Sequence, residues 1–193
     1  MDIMKKLVYI IVYFPFVISY LLKGRFNKLI LEDITVAQQN SRYFTTNHTL
    51  SSFINFIVHY PEWRMLYIFR IGGFWRTMLR YSYHNRINFY LQICGGVEGG
   101  FFPQHAWSTI VLAEKIGKNC QVWQNVTVGK KYSGGGIPII GDNVKICAGA
   151  CVLGNIRIGN NVTIGANAVV LEDIPDNCIA VGVPAVIKFK CSE

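Results

Sequence analysis

Side chains able to do chemistry are sparse in this chain of 193 residues. Four histidines stand at positions 48, 59, 84 and 105, and only His105 heads a regular pattern, in the stretch GGFFPQHAWSTIV. An imidazole ionises close to neutral pH, so one histidine can take up a proton and hand it back. A γ-carbonic-anhydrase type of zinc site would need three such ligands, which a single histidine at the head of the pattern does not supply. The six cysteines (94, 120, 147, 151, 178, 191) show neither CxxC nor Cys/His spacing. They read as reduced packing residues in a reducing compartment, with no metal. A lone histidine is more often structural than catalytic, and its surroundings have to decide.

Those surroundings have a period of six. Ile110, Ile116, Val122, Val128, Ile140, Ile146, Val152, Ile158, Ile164 and Val170 fall on one six-residue lattice, broken only by Gly134. The place after each mark is often glycine (117, 129, 141, 159, 165), and the fourth place is small or aliphatic, as at Cys120, Val126, Ala150 and Ala168. Neither a helix nor simple strand alternation keeps such a lattice for sixty residues. It is the signature of a hexapeptide solenoid, in which each hexad is a short strand and a tight corner and three hexads close one triangular coil. Residues eighteen apart then stack, and the stacked coils share a core that no single coil could bury. The predicted fold class is α+β: a helical region over residues 1–90 followed by a β-helix over residues 91–193.

Charge divides unevenly between these halves. Residues 1–90 carry eleven Lys/Arg against four Asp/Glu, a balance of +7, whereas residues 91–193 carry eight against seven. In the basic half, Leu7 to Leu22 is a mostly apolar run between Lys5-Lys6 and Lys23-Arg25-Lys28, shorter than a usual span of ~20 residues and interrupted by Pro15. No A-x-A-like site follows Leu22, so the run is not expected to be a cleaved leader. Two arrangements satisfy the pattern. One is a helix or kinked helix pair lying in the membrane interface, with Tyr9, Tyr13, Phe14, Phe16 and Tyr20 at head-group depth; the other is a buried helix of a bundle or oligomer contact. A second helical segment is expected from Pro61 to Arg86, where Met65, Leu66, Phe69 and Leu79 alternate with Arg64, Arg70, Arg76, Arg80 and Arg86 as a basic surface. No recognition motif for nucleic acid accompanies these charges.

From His105 to Ala185 the chain resembles the hexapeptide-repeat acyltransferases, serine O-acetyltransferase and its polysaccharide-biosynthesis relatives in particular. The likeness rests on the His-Ala pair opening the coils, on QNVTVG, IGDNVKICAGACVLGN and IGANAVV, and on the closing GVPA. Upstream, LEDITVAQQN and LYIFRIGGF resemble the helical leader of serine acetyltransferases more faintly. The resemblance implies a left-handed parallel β-helix, against the usual right-handed crossover, and a homotrimer that can double into a hexamer. It also implies acetyl-CoA as donor, bound between neighbouring coil stacks, and no metal. On this likeness His105 is the general base, and backbone N–H groups hold the oxyanion. Ala148 and Ala166 are eighteen apart and hence stacked, with side chains small enough to open the backbone to pantetheine. Gly129 and Lys130 match the donor-side turn, Lys188 and Lys190 are placed for the phosphates, and Asp33 and Gln104 fall on the substrate side.

Departures from the family pattern direct the choice of acceptor. Gln104 stands where serine acetyltransferases have an acid, and Gly136-Ile137 where they have Arg-His before the loop proline, here Pro138. Gln92 and Glu98 are the only residues near the place of an acid that would orient His105. The sequence therefore predicts an acetyl-CoA-dependent O-acetyltransferase acting on a sugar in surface polysaccharide biosynthesis, in the cytoplasm, with peripheral contact at the inner face of the membrane. The alternatives are serine O-acetyltransferase of cysteine biosynthesis and a non-catalytic β-helix scaffold that binds no CoA.

Overall fold

The computed structural model describes residues 3–40, 49–82 and 88–190, with side chains from residue 13 onward apart from positions 49, 51, 81 and 82. Arg86 and Cys191, and the side chains of Lys5, Lys6 and Tyr9, lie outside the described set. The chain divides into two compact units, Met1–Arg86 and Ile87–Glu193.

Among the described residues, five α-helices build the first unit: α1 (Ile3–Leu22), α2 (Lys28–Asn40), α3 (Thr49–His59), α4 (Pro61–Ile71) and α5 (Gly73–Ser82), with a 3-10 turn at Gly24–Phe26. The apolar run at the start of the chain forms one helix that continues through Pro15. Its inward face carries Phe16 and Tyr20, and Tyr20 stacks on Phe53 of α3 with ring centroids 4.1 Å apart. No described helix is long and apolar enough to cross a membrane. The expected second helical segment is two helices, because Gly72 and Gly73 both take left-handed backbone (φ 62° and 54°) that ends α4 and restarts the chain as α5. Its basic surface is smaller than expected. Arg64 and Arg70 turn inward, Arg64 donating to the Tyr13 hydroxyl at 2.5 Å and Arg70 to Asp33, which leaves Arg76 and Arg80 exposed.

The second unit is a parallel β-helix with three sheets. One face stacks β1 (Tyr90–Ile93), β3 (Ile110–Ala113), β6 (Thr127–Gly129), β9 (Cys151–Leu153) and β12 (Val169–Val170). A second face holds β4 (Lys115–Ile116), β7 (Ile139–Ile140) and β10 (Arg157–Ile158). The third holds β2 (Phe102–Pro103), β5 (Gln121–Val122), β8 (Lys145–Ile146), β11 (Thr163–Ile164) and β13 (Cys178–Val181), closed by the antiparallel β14 (Val186–Phe189). Lattice residues stack in register, Val122 on Ile146 on Ile164 and Ile116 on Ile140 on Ile158, and all of them are buried. Burying each such aliphatic contributes about 1.5–3 kcal/mol.

The lattice departs from its first mark. Ile110 is 49% exposed, and Val111 is the residue that fills the core above Leu91 and below Val128. The break at Gly134 belongs to a loop after β6 that leaves the coil and rejoins it at β7, which is why the six-residue phase survives it.

Corners repeat as regularly as strands. Asn119, Asn143, Asn161 and Asn177 all have φ between 55° and 59° and form one ladder, each of the first three donating its side-chain amide to the next at 3.0–3.3 Å. Asparagine tolerates this left-handed backbone, and its side chain binds the coil above. Beside the ladder, Gly141 has no room for a side chain: a Cβ there would come within 2.9 Å of the Gly159 carbonyl oxygen.

Candidate active site

His105 occupies the corner that joins β2 to β3 and is exposed. Its backbone is left-handed (φ 50°), and so is that of Ser108 (φ 50°), a conformation that costs a non-glycine residue of order 1 kcal/mol and must be held by its surroundings. The surroundings do so. Phe101, Phe102 and Ala106 are buried on either side, and the Gln104 amide donates to the Val122 carbonyl at 2.8 Å. The fully buried Thr109 donates its hydroxyl to the Trp123 carbonyl at 2.9 Å and accepts from the Val126 amide at 3.3 Å. The imidazole thus projects from a corner pinned to the coil above, with Trp107 exposed beside it.

Above that corner the same edge of the β-helix forms a column. The Asn125 amide donates to Trp107, the Gly149 amide to Gln124 and the Asn167 amide to Ala148, each through the backbone carbonyl at 2.9–3.0 Å. The order along the column is Trp107, Gln124, Ala148 and Ala166. Small side chains at the last two positions leave the upper part of the edge low in bulk. In the sequence Gln124 is only one member of QNVTVG, and stacking of the coils sets it between the histidine corner and the alanines. Its Oε1 is buried and has no hydrogen-bond partner among the described residues.

The remaining residues expected at the site lie elsewhere on the unit. Gly129 and Lys130 stand at the far end of the sheet strand that the column enters, at the root of the loop carrying the exposed Tyr132. A Cβ at Gly129 would meet only the Leu112 Cβ, at 3.8 Å, so no close approach requires glycine there. Lys188 is exposed on β14, and Lys190 donates its ammonium to the Asn161 carbonyl at the asparagine corner. One copy of the chain therefore gathers His105, Gln104, Ala148 and Ala166 along one edge and spreads the lysines over the other two.

Asp33, expected on the substrate side, is engaged within the helical unit. It is buried on α2, and Arg70 of α4 donates to both its oxygens, at 2.9 and 3.1 Å. A carboxylate so engaged meets a substrate ammonium only by giving up a buried ion pair. Glu98 pairs with Lys115 at 3.4 Å, and Gln92 is exposed on β1. Cys120 is inert in place: burial pushes its thiol up from 9.0 to about 12, and the thiol donates to the Gly141 carbonyl at 3.0 Å. Among the described residues no three metal-ligating side chains cluster.

Comparison with known proteins gives this geometry a context. The bacterial transferase hexapeptide (six repeats) family matches residues 137–172. Serine acetyltransferase from Synechococcus elongatus is 43% identical over 94 residues, 47% of this chain and 38% of that protein. Serine acetyltransferase from Staphylococcus aureus is 53% identical over 79 residues, 39% of this chain and 37% of that protein. The matched stretch thus spans less than two fifths of these curated relatives. Among solved structures, Neisseria gonorrhoeae serine acetyltransferase in complex with serine superposes with a TM-score of 0.62 at 26% identity, covering 87% of this chain and 71% of its own. Soybean serine acetyltransferase complexed with serine gives 0.60 at 29% identity, covering 81% and 67%. Residues 137–172 thus match the hexapeptide transferase repeats, and the chain is similar to serine acetyltransferases in its fold, helices ahead of a left-handed parallel β-helix.

These likenesses correct the expected acceptor. The sugar reading rested on missing charges at Gln104, Gly136 and Ile137, yet the relatives named above are serine acetyltransferases and two of the solved ones hold serine. An ammonium and a carboxylate can also be met by backbone groups, whose presence three side-chain positions do not report.

Proposed function

We propose that the chain is an acetyl-CoA-dependent O-acetyltransferase whose acceptor is the hydroxyl of L-serine. The observation that carries this reading is His105, an exposed imidazole on a left-handed corner pinned by Thr109, at the foot of a column whose upper members are alanines. The serine-bound relatives at 26–29% identity support the choice of acceptor.

In this reading the His105 imidazole takes the serine hydroxyl proton as the oxygen attacks the thioester carbonyl carbon. A C–O bond forms, backbone N–H groups hold the oxyanion, and collapse breaks the C–S bond. The imidazolium returns its proton to the departing thiolate, giving O-acetylserine and CoA with no covalent enzyme intermediate. Gln104, half-buried beside His105, is placed to meet the amino acid. Acetyl-CoA lies along Ala148 and Ala166. Because Gly129, Lys130, Lys188 and Lys190 sit away from that edge in one copy, they reach the donor from a neighbouring subunit, which makes a homotrimer part of the proposal.

The test is thiol release from acetyl-CoA with and without L-serine, with the product identified by mass spectrometry. Serine-dependent release and O-acetylserine are expected; no serine-dependent release overturns the reading.

A further inference from the structure

Among the described residues, one apolar face of the helical unit is left exposed. On α1, Phe16, Ser19 and Tyr20 turn inward, with Ser19 and the Tyr67 hydroxyl sharing a hydrogen bond of 2.9 Å. The other side of the same helix does the opposite. Phe14 is 56% exposed and Leu22 is 65% exposed, with Ile18 and Leu21 on the same stripe by helical spacing. The 3-10 turn that follows adds Phe26, 72% exposed. Three exposed cations stand at this end, Lys23, Arg25 and Lys28, the last 3.7 Å from the Glu32 carboxylate, and the Arg25 guanidinium lies 4.6 Å from the centre of the Phe26 ring. From Phe14 to Leu31 the sequence has no acid.

We propose that this stripe and its cations dock on the surface of an anionic phospholipid bilayer. Phe14, Leu22 and Phe26 enter the acyl boundary while Lys23, Arg25 and Lys28 meet the lipid phosphates. Charge complementarity selects this occupant. A second copy meeting the face about a two-fold axis would set Lys23 and Arg25 against their own images, while the next acid along the chain, Glu32, is already paired with Lys28. Docking flat needs only one apolar face, so it asks nothing of a helix too short or too polar to cross. The proposal is independent of acetyl transfer and goes beyond it.

Sedimentation of the full chain with vesicles tests it, using phosphatidylglycerol mixed with phosphatidylcholine against phosphatidylcholine alone. Binding to the anionic vesicles at low salt and release at high salt are expected. Lys23→Gln and Arg25→Gln should each lower the partition about fivefold. The paired change Leu22→Asp with Phe26→Asp should lower it more than about tenfold, leaving helicity and acetyl-CoA binding as they were. Failure of the full chain to bind anionic vesicles at low salt overturns the proposal. So does light scattering in which the paired change lowers the subunit number of the lipid-free protein, since that assigns the face to a second copy.

Discussion

At the scale of single residues, His105 is set apart by backbone as much as by chemistry. Its φ of 50° lies in a region that asparagine fills at the unit's other corners, so the fold tolerates asparagine, and not histidine alone, at such a place. His105→Asn is therefore expected to keep the corner and lose about 10²-fold or more in acetyl transfer, the scale of a lost general base. Turnover near that of the parent protein, measured by thiol release, would remove His105 from the mechanism. Cys120 makes a prediction of a different kind. Its thiol ionises at about 12 when folded against 9.0 when free, so the unfolded chain gives up this proton first. The contribution is fully present below pH 9.0 and is lost as pH rises toward 12, so denaturation midpoints should fall across that window, and less so in Cys120→Ala once its lower baseline is subtracted. Equal alkaline slopes in the two proteins would contradict the assignment.

The element that repeats is the coil, and its limits are set at the corners. Gly141 and Gly129 both follow lattice positions, yet they are not equivalent. A Cβ at Gly141 would press on the Gly159 carbonyl oxygen at 2.9 Å and the Asn160 side chain at 2.7 Å, whereas one at Gly129 meets an ordinary 3.8 Å contact. Gly141→Ala should destabilise the β-helix by about 1–3 kcal/mol, the usual cost of overpacking. Gly129→Ala should leave the unfolding midpoint where it is. Parallel thermal melts read the difference, and equal shifts would show that the coils separate freely. The column edge carries the chemical counterpart. Ala148→Trp adds bulk to a half-buried position on the edge proposed for the donor, so calorimetric binding of acetyl-CoA should disappear while the circular dichroism of the β-helix stays. Unchanged binding would move the donor to another edge.

For the whole molecule, the division of labour follows the charge: a basic helical unit carries the proposed lipid-facing stripe, and a nearly neutral β-helix carries His105. The six-residue lattice was legible because one aliphatic per strand and one left-handed residue per corner are local requirements that each coil must satisfy again. The same locality exposed His105 as the histidine heading the repeat. It did not place the first coil correctly, since Ile110 and Val111 are both β-branched aliphatics and only stacking on Val128 shows which of them faces the core. Nor could it give Asp33 and Arg70 to each other, because thirty-seven residues separate them and the pair exists only where α2 meets α4. The arginine pattern misled for the same reason: spacing along a helix does not say which charges find a buried partner. What the sequence determined alone was the period, hence the coil, the corner chemistry and the histidine at its head. What only the tertiary structure decided was the column joining His105 to Gln124, Ala148 and Ala166, the dispersal of the lysines and the apolar face left open on α1. Each of these depends on which residues distant in the chain are brought side by side, and a local pattern carries no record of that.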